Sequence, residues 1–338
     1  MAQTVLVTGG SGFVAGWCIV ELLRRGYTVR ATLRNLAKEP AVRTAVASVT
    51  DAGDTLSFYA ADLTADSGWD AAMAGCDFVL HVASPLGTDG EKDPAALIAA
   101  ARDGTLRVLR AAADAGVQRV VMTSAATAAT PLLKGPDSVS DETQWFDPKE
   151  TIVGAYRISK RLAERAAWDF MQQQRGTAFT TILPGAVFGP ILSAENLGSV
   201  QVIGRLLQGR VAGNPRLGFE VVDVRDLADV HIRAMTSQQS SGERFLATGE
   251  FLWMADISRI LREHLGVAAN KVPTRALPDF VLRLVSLFDP GVRFLTPSLG
   301  RKHVHSTAKA QRVLGWQSRP ATEALVDCAK SLIASKSV

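Results

Sequence analysis

The sequence of 338 residues predicts an α/β fold built on a doubly wound parallel sheet. In the first half of the chain, short runs rich in β-branched residues alternate with longer segments of helical spacing, which is typical of successive βαβ units. Several of the short runs are almost continuously apolar, as expected of strands that helices cover on both faces. A glycine-rich turn between the first such run and the first helical segment agrees with this architecture.

The first half contains the candidate strands and most of the candidate helices. The strands are Thr4–Thr8, Thr28–Leu33, Leu56–Tyr59, Phe78–Val82, Arg119–Thr123 and Thr180–Leu183. The helices are Val14–Arg25, Pro94–Ala115 and Ala155–Gln174. The last two helical segments are rich in Ala, Leu, Arg and Glu, which are good helix formers. The alternation predicts strands that run parallel to one another.

The pattern changes after Pro190. Glycine and proline become frequent around 209–218, and four prolines lie between Pro273 and Pro297. A weaker strand signal at 219–223 precedes a predicted helix over 226–235. We therefore expect a first domain over 1–190 with a return segment near 219–235, and a smaller α/β lobe made mainly of 191–338.

The composition excludes several classes of protein. The net charge of +4 is small for this length and 47% of the residues are hydrophobic, so the chain is not expected to be disordered. Cys18, Cys76 and Cys328 are far apart, which indicates free thiols rather than a disulfide scaffold. The basic residues are spread along the chain, so nucleic acid is not an expected partner. With neither a signal peptide nor a membrane-length apolar segment, we expect a soluble, cytoplasmic protein.

The glycine-rich turn has the position of a dinucleotide site. It reads Thr8-Gly9-Gly10-Ser11-Gly12-Phe13-Val14-Ala15-Gly16 and leads from the first strand into the first helix. Glycines let the backbone approach a pyrophosphate closely, and the helix N-terminus offers unpaired N–H groups with partial positive charge. A turn used only for packing is the alternative interpretation.

The residues after the second strand favour NADP(H) over NAD. An NAD site usually has an acidic residue at this point, which binds the ribose 2′-hydroxyl. This chain instead has Arg34 and Lys38, and a guanidinium can bind the 2′-phosphate in a bidentate manner. An ordinary solvated arginine stays open as the alternative. Asp62, after the third strand, is expected either to accept a hydrogen bond from the adenine or to serve as an N-cap.

Tyr156 and Lys160 form a candidate catalytic pair. Their i, i+4 spacing places them on one face of a helix. A free tyrosine has a pKa of about 10, and we expect the neighbouring ammonium to lower the pKa of Tyr156 toward the range of an acid/base catalyst.

Together, the motifs resemble the extended short-chain dehydrogenase/reductases, and among them the branch of dihydroflavonol 4-reductase and the microbial carbonyl reductases. The first motifs are the glycine turn, Ala61-Asp62-Leu63, His81-Val82-Ala83-Ser84-Pro85, Arg119–Ser124 and Tyr156-Arg157-Ile158-Ser159-Lys160. Later segments fit as well: Ile182–Pro190, Val222–Ala228 and Leu314-Gly315-Trp316. The resemblance covers essentially the whole chain. It implies a Rossmann-type sheet of about seven strands with a smaller, interleaved C-terminal substrate lobe.

The resemblance implies an NADPH-dependent reduction of an aldehyde or ketone. Tyr156 would donate the proton to the developing alkoxide, and Lys160 would lower the pKa of the tyrosine and bind the nicotinamide ribose. The residues expected to contact NADP(H) are Gly9, Gly12, Phe13, Val14, Arg34, Lys38, Asp62, Leu63, Val82, Ala83, Ser84, Thr123, Tyr156, Lys160, Pro184, Gly185 and Val187.

The chain departs from the family pattern at two places. Ala15 stands where the turn usually has its third glycine, and Gly16 follows it. Ala125 stands where relatives have the serine that holds the substrate carbonyl. We predict that Ser124 supplies this hydroxyl, with Thr127 or no hydroxyl as the alternatives.

The residues around the site suggest an apolar or aromatic carbonyl substrate. The segments 85–91, 131–146 and 188–197 are predicted to form the roof of its pocket. Their apolar residues are Leu132, Leu133, Trp145, Phe146, Phe188 and Leu192, and core packing is the alternative for each. His303 and His305 have no nearby Cys, Asp or Glu in sequence, so no metal site is predicted. A monomer and a homodimer both stay open.

Two other functions stay open as well. A nucleotide-sugar epimerase or dehydratase would use the same tyrosine and lysine with retained NAD. Dehydratases of this kind have an acidic pair directly after the catalytic hydroxyl, where this chain has Ala125 and Ala126. A non-catalytic NADP-sensing protein would be expected to lack Tyr156 or Lys160.

Overall fold

A computed structural model describes residues 2–85, 93–131, 135–146, 154–195, 197–288, 290–293 and 295–338. The strands are β1 (Thr4–Val7), β2 (Thr28–Leu33), β3 (Leu56–Ala60), β4 (Phe78–His81), β5 (Arg119–Thr123), β6 (Ser138–Ser140), β7 (Ala178–Pro184), β8 (Ala186–Phe188), β9 (Gly218–Asp223), β10 (Glu243–Ala247), β11 (Phe251–Trp253) and β12 (His303–His305).

Helices connect most of these strands. They are α1 (Phe13–Arg24), α2 (Glu39–Ala47), α3 (Trp69–Met73), α4 (Pro94–Asp114), α5 (Ala155–Met171), α6 (Val200–Leu207), α7 (Val224–Thr236), α8 (Met254–Leu265), α9 (Asp279–Val285), α10 (Pro290–Arg293), α11 (Ala308–Leu314) and α12 (Ala321–Ala334).

The main sheet contains seven parallel strands in the order β10-β7-β5-β4-β1-β2-β3. The chain starts at β1, proceeds outward to β3, and then returns to β4 on the other side of β1. This reversal creates a crevice at the carboxyl ends of β1 and β4, the place where open α/β sheets bind ligands. The predicted Rossmann-type fold is confirmed.

Helices pack on both faces of this sheet. Val5 and Val7 of β1 point into a core that includes Ile19 of α1 and Leu227 of α7. Leu6 lies in a separate core on the opposite face, together with residues of α4 and α5. All of these side chains are fully buried, and each contributes about 1.5–3 kcal/mol by leaving water. The strand alternates between two cores because successive side chains point to opposite faces.

The predicted elements differ from the observed ones mainly at their ends. All the predicted strands form, and β7 begins two residues earlier than expected and ends at Pro184. The helix predicted over 155–174 ends at Met171. Several helices were not predicted: α2 and α3 in the first half of the chain, and α6 and α8 to α12 in the second.

The second half of the chain contributes to both parts of the fold. The strands β11, β9 and β8 form a small sheet, and β12 pairs with β6. In contrast, α7 packs on the core of the main sheet, and β10 extends that sheet beside β7. Among the residues described, no helix combines the length and the apolar character needed to cross a bilayer. The cytoplasmic location and the division into two domains stay predictions.

Candidate active site

The glycine turn lies between β1 and α1. Gly9 has a left-handed backbone with φ of +73°, and a Cβ there would lie 3.0 Å from the Cβ of Ala83. A Cβ on Gly10 would lie 2.9 Å from that of Ala31 in β2. Side chains at these positions would therefore collide with β2 and with the segment after β4, which explains the need for glycine.

The N-terminus of α1 fits an anionic group. Gly12 is the N-cap, and no side chain caps the helix. The N–H groups of the first helical turn, including those of Phe13 and Val14, are therefore available to a ligand. An open groove passes this end of the helix and is lined in part by Gly10, Ser11, Gly12 and Phe13. This is the arrangement that a dinucleotide pyrophosphate requires.

The departure at the third glycine is accommodated locally. Ala15 is 1% exposed and its methyl group lies in the core beneath the helix. Gly16 lies against the segment after β8: a Cβ there would lie 3.3 Å from Cδ1 of Leu192. The small residue at 16 thus admits the segment after β8 against α1.

Thr32 holds the turn in place, which the sequence analysis missed. Its Oγ1 accepts a hydrogen bond from the N–H of Gly9 at 3.0 Å, and its carbonyl accepts one from the N–H of Gly10 at 2.9 Å. Thr32 is buried within β2. A hydroxyl side chain near the carboxyl end of the strand that follows the glycine turn was the signal available in the sequence.

Thr8 and His81 connect the turn to the end of β4. Thr8 Oγ1 accepts from the N–H of Ala83 at 3.0 Å and hydrogen-bonds with His81 Nδ1 at 2.9 Å. Burial, together with the nearby charge of Lys160, lowers the pKa of His81 to about 3. His81 is thus a neutral, local hydrogen-bonding group. Val82, Ala83 and Ser84 are all half-buried along this edge.

The two cations after β2 lie at the surface. Arg34 follows the strand directly and is exposed. Lys38 Nζ lies 2.5 Å from Oε2 of Glu195, and both side chains line the groove that passes the glycine turn. Their positions are consistent with binding of a 2′-phosphate, which stays a prediction. Glu195 was not identified from the sequence.

Asp62 takes part in a local turn after β3. Its Oδ1 accepts from the N–H and the hydroxyl of Thr64, each at 2.8 Å. These hydrogen bonds, with a smaller contribution from Arg34, lower the pKa of Asp62. Leu63 packs closely against α4, since a Cβ on Gly104 would lie 2.8 Å from that of Leu63. A contact of Asp62 with adenine stays a prediction.

Tyr156 and Lys160 lie together on the first turns of α5. Lys160 Nζ is 5.8 Å from the centre of the Tyr156 ring. Lys160 is 5% exposed, whereas Tyr156 is 39% exposed and therefore open on one side. Because the charge of Lys160 acts on His81, the pair lies near the carboxyl end of β4.

The expectation about the acidity of Tyr156 is wrong. Its protein surroundings desolvate the phenol and raise its pKa to about 12, rather than lowering it. Burial also lowers the pKa of Lys160 to about 8, although the nearby Glu164 acts in the opposite direction. For the pKa of Tyr156, desolvation of the phenol thus outweighs the attraction between the Lys160 ammonium and a phenolate.

The hydroxyl groups after β5 differ in their surroundings. Ser124 is 2% exposed, and its Oγ donates to Oε2 of Glu164 at 2.6 Å. Ala125 is 5% exposed. Thr127 Oγ1 is buried and has no hydrogen-bond partner within the described part of the chain. The assignment of the carbonyl-holding hydroxyl to Ser124 stays a prediction, with Thr127 as the alternative.

Thr123, the last residue of β5, is held by a buried histidine. His231 Nδ1 lies 2.7 Å from the carbonyl oxygen of Leu227 and must donate to it, so Nε2 accepts from Thr123 Oγ1 at 2.7 Å. Burial lowers the pKa of His231 to about 4. His231 thus has a local hydrogen-bonding role.

Pro184, Gly185 and Val187 lie where β7 ends and β8 begins. A Cβ on Gly185 would lie 2.5 Å from the carbonyl oxygen of Glu220, so glycine there permits close contact with β9. Carboxyl ends of parallel strands share one edge of a sheet, which places this corner on the same edge as the glycine turn.

The residues predicted to form the roof of the pocket lie in different surroundings. Phe146 and Phe188 are fully buried, which supports core packing for both. Trp145 lies between two guanidinium groups, with Arg244 at 3.6 Å and Arg165 at 4.3 Å from its ring centre. Leu192 lines the groove beside the glycine turn. Leu132, Leu133 and positions 86–91 lie outside the described residues.

Comparison with known proteins identifies the family. Residues 5–247 match the model of the NAD dependent epimerase/dehydratase family. The chain belongs to this family. Cinnamoyl-CoA reductase 1 of Oryza sativa subsp. japonica is 36% identical over 265 residues, which cover 77% of this chain and 75% of that protein. Dihydroflavonol 4-reductase of Hordeum vulgare is 32% identical over 266 residues, which cover 77% and 74%.

The fold of this family member agrees with solved structures. The crystal structure of yeast methylglyoxal/isovaleraldehyde reductase Gre2 complexed with NADPH matches with a TM-score of 0.81 at 24% identity, over 99% of both chains. The resemblance to the extended short-chain dehydrogenase/reductases, including the dihydroflavonol 4-reductase branch, is confirmed. The predicted enzyme class, an oxidoreductase of this family, is confirmed as well.

Proposed function

We propose that this protein uses NADPH to reduce an aldehyde or ketone to the alcohol, with Tyr156 as the proton donor. The observation that carries the proposal is the placement of Tyr156 and Lys160 beside a turn suited to a dinucleotide. Lys160 acts electrostatically on His81, and His81 hydrogen-bonds with Thr8 directly before that turn. The named activities of cinnamoyl-CoA reductase 1 and dihydroflavonol 4-reductase support a reductase.

The residues present fit NADP(H). The uncapped N-terminus of α1 at Gly12 would hold the pyrophosphate, and Arg34 and Lys38 would hold the 2′-phosphate. Lys160 would bind the nicotinamide ribose. The bound cofactor supplies the hydride. The predicted choice of NADP(H) agrees with the NADPH in the complex of Gre2.

Tyr156 is suited to give up a proton rather than to take one. A pKa raised to about 12 keeps the phenol protonated at neutral pH. An alkoxide that develops on a reduced carbonyl carbon is a much stronger base than the phenol, so proton transfer to it is favourable. The reverse reaction would need the phenolate. The protonated phenol is therefore the form that a general acid in the reduction needs.

The hydroxyl that steadies the carbonyl oxygen is Ser124 in this proposal. In the structure the Ser124 hydroxyl donates its hydrogen bond to Glu164, so a substrate carbonyl would share this donor with Glu164 or take it over. The proposed substrate is an apolar or aromatic carbonyl compound.

The epimerase or dehydratase alternative has less support. Ala125 and Ala126 are buried and offer neither an acid nor a hydroxyl at the position of the dehydratase pair. The non-catalytic alternative is disfavoured because Tyr156 and Lys160 are both present and adjacent.

The test is a spectrophotometric screen of the purified full chain. It follows oxidation of NADPH and of NADH with a panel of aldehydes, aryl ketones and diketones, and the Tyr156→Phe variant serves as the background. We expect turnover with NADPH and at least one carbonyl compound. The proposal fails if no compound of the panel is reduced. Isolation of the protein with tightly bound NAD that supports epimerisation of a nucleotide sugar would then favour the alternative.

A further inference from the structure

Glu164 is a fully buried carboxylate on the catalytic helix. It follows Tyr156 and Lys160 at i+8 and i+4 along α5, so the three residues share one face. Its exposure is 0%. Neither the cofactor nor the proton transfer proposed above makes use of it. A buried charge is unfavourable unless its surroundings satisfy it, so the contacts of Glu164 indicate its role.

Glu164 joins α5 to three adjacent strands. Ser124 Oγ, just after β5, donates to Oε2 at 2.6 Å. Thr181 Oγ1 of β7 donates to Oε1 at 2.9 Å, and Arg244 Nε of β10 donates to the same oxygen at 2.8 Å. Because β5, β7 and β10 lie side by side, one carboxylate determines how α5 is rotated and seated on the sheet.

Arg244 balances this charge and is itself well held. Its side chain is 9% exposed and lies 3.6 Å from the ring centre of Trp145. Its Nη1 donates to the carbonyl oxygens of Glu142 and Gln144 at 2.5 and 3.0 Å. The guanidinium therefore cannot follow Glu164 if the helix moves, and the pair acts as a fixed anchor.

The charge of Glu164 also acts on Lys160. Burial lowers the pKa of Lys160, and Glu164 raises it. His81, which faces Lys160 from β4, is neutral because burial lowers its pKa to about 3, and Tyr156 is neutral as well. Charged side chains of the other packed elements are exposed or have partners elsewhere: Arg102, Asp103, Arg107, Arg110 and Asp114 of α4, and Arg119 of β5.

We propose that Glu164 is a positioning residue of the reductase reaction: its buried carboxylate seats α5 on the sheet and keeps Lys160 in the charged form. The proposal rests on the proposed function, because Lys160 needs its charge to bind the cofactor and to act beside Tyr156. It goes beyond that function in assigning a role to a residue that touches neither substrate nor cofactor. A purely structural ion pair is the competing explanation.

The first test needs no turnover. The folded-state pKa of Lys160 is about 8, below the 10.5 of the unfolded chain, so the unfolded chain binds more protons between these values. Stability from this group therefore rises as pH increases from about 8 to 10.5, and it is lost as pH falls from 10.5 to about 8. In Glu164→Gln the pKa of Lys160 should fall further. We expect the rising limb of the melting temperature of the cofactor-free chain to begin roughly one pH unit lower, while its upper end stays near 10.5.

Two control variants separate the explanations. Asp226→Asn makes the corresponding change on α7, away from α5, where Asp226 pairs with Arg319 just before α12, and it should leave the limb where it is. Lys160→Met combined with Glu164→Gln should lack the limb. If Glu164→Gln does not fold, the double variant Glu164→Gln with Arg244→Gln removes both charges and takes its place. An unmoved limb in the Glu164 variant, or the same shift in Asp226→Asn, overturns the proposal.

The second test measures catalysis with a carbonyl compound from the screen. In Glu164→Gln we expect kcat near pH 8 to fall roughly fivefold, the change in the charged fraction of Lys160 when its pKa falls by about one unit, with KM for the carbonyl changed less than about threefold. The activity should recover in part at lower pH, where Lys160 regains its proton. A uniform loss at every pH indicates a structural role only. If the wild-type chain reduces no carbonyl compound, the proposed function fails. The pH dependence of the melting temperature still tests the effect of Glu164 on Lys160 in that case.

Discussion

Lys38 Nζ lies 2.5 Å from Oε2 of Glu195, in an ion pair between residues 157 positions apart. The two side chains are 48% and 56% exposed, and both line the groove beside the glycine turn. The pair therefore links the segment after β2 to the segment after β8 across the proposed cofactor site. If Lys38 binds the 2′-phosphate, the phosphate and the carboxylate of Glu195 compete for one ammonium.

We predict that Glu195→Gln lowers KM for NADPH and leaves KM for NADH unchanged. An exposed ion pair contributes about 0–1 kcal/mol, so the effect should be no more than roughly fivefold. Initial rates at varied cofactor concentration measure it. Glu263→Gln, which breaks a similarly exposed pair with Arg259 on α8, is the matched control. An equal change for both cofactors would show that Glu195 does not compete with the phosphate.

Arg34→Glu should shift the cofactor preference toward NADH. Loss of a charge-assisted hydrogen bond costs about 1.5–3 kcal/mol, so kcat/KM for NADPH should fall roughly 10- to 100-fold. The value for NADH should be preserved, because NADH has no 2′-phosphate to repel. The ratio of the two kcat/KM values is the measurement. An unchanged ratio would place the 2′-phosphate elsewhere.

Tyr156→Phe should reduce kcat by roughly 10²- to 10⁴-fold, the contribution of a general acid. The ring is kept, so the melting temperature and the dissociation constant for NADPH should stay close to the wild-type values. Fluorescence titration measures cofactor binding separately from turnover. Substantial remaining activity would exclude Tyr156 as the proton donor.

Ser124→Ala should lower kcat by roughly 10-fold or more if Ser124 steadies the carbonyl oxygen. Thr181→Val is the matched control, because it also removes one hydrogen bond to Glu164 but no hydroxyl near the carbonyl. Thr127→Val tests the alternative. If only the Thr127 variant loses activity, the hydroxyl role moves to Thr127, and if the Ser124 and Thr181 variants lose activity equally, Ser124 acts through Glu164.

The protein should lose stability in mild acid. Folded-state pKa values of about 4 for His231 and about 3 for His81 lie below the 6.5 of the unfolded chain. Their contribution is complete above pH 6.5 and declines as pH falls toward 4, by about 2 kcal/mol for each histidine at pH 5. Thermal unfolding between pH 7 and pH 5 measures this. His231→Gln should show a shallower decline, and an equally steep one would contradict the assignment.

Local patterns were sufficient to predict much of the fold and of the site. The strand Arg119–Thr123 and the spacing of Tyr156 and Lys160 are properties of short segments, and the structure has them as predicted. The acidity of Tyr156 was predicted with the wrong sign, since desolvation depends on all the atoms that surround the ring. The position of Glu164, eight residues after Tyr156, can be read from the sequence. Its spacing alone did not show that side chains on or next to three neighbouring strands donate hydrogen bonds to it.

The sequence by itself determined the parallel α/β architecture, the glycine turn, the cations after β2 and the catalytic pair, because each depends on residues close together in the chain. Tertiary structure alone decided the partners of the charged and hydroxyl groups. Ser124 meets Glu164 and Lys38 meets Glu195 only after the sheet, α5 and the segment after β8 have assembled. Burial then sets the protonation of Tyr156 and Lys160, since the cost of a charge depends on the solvent that folding excludes.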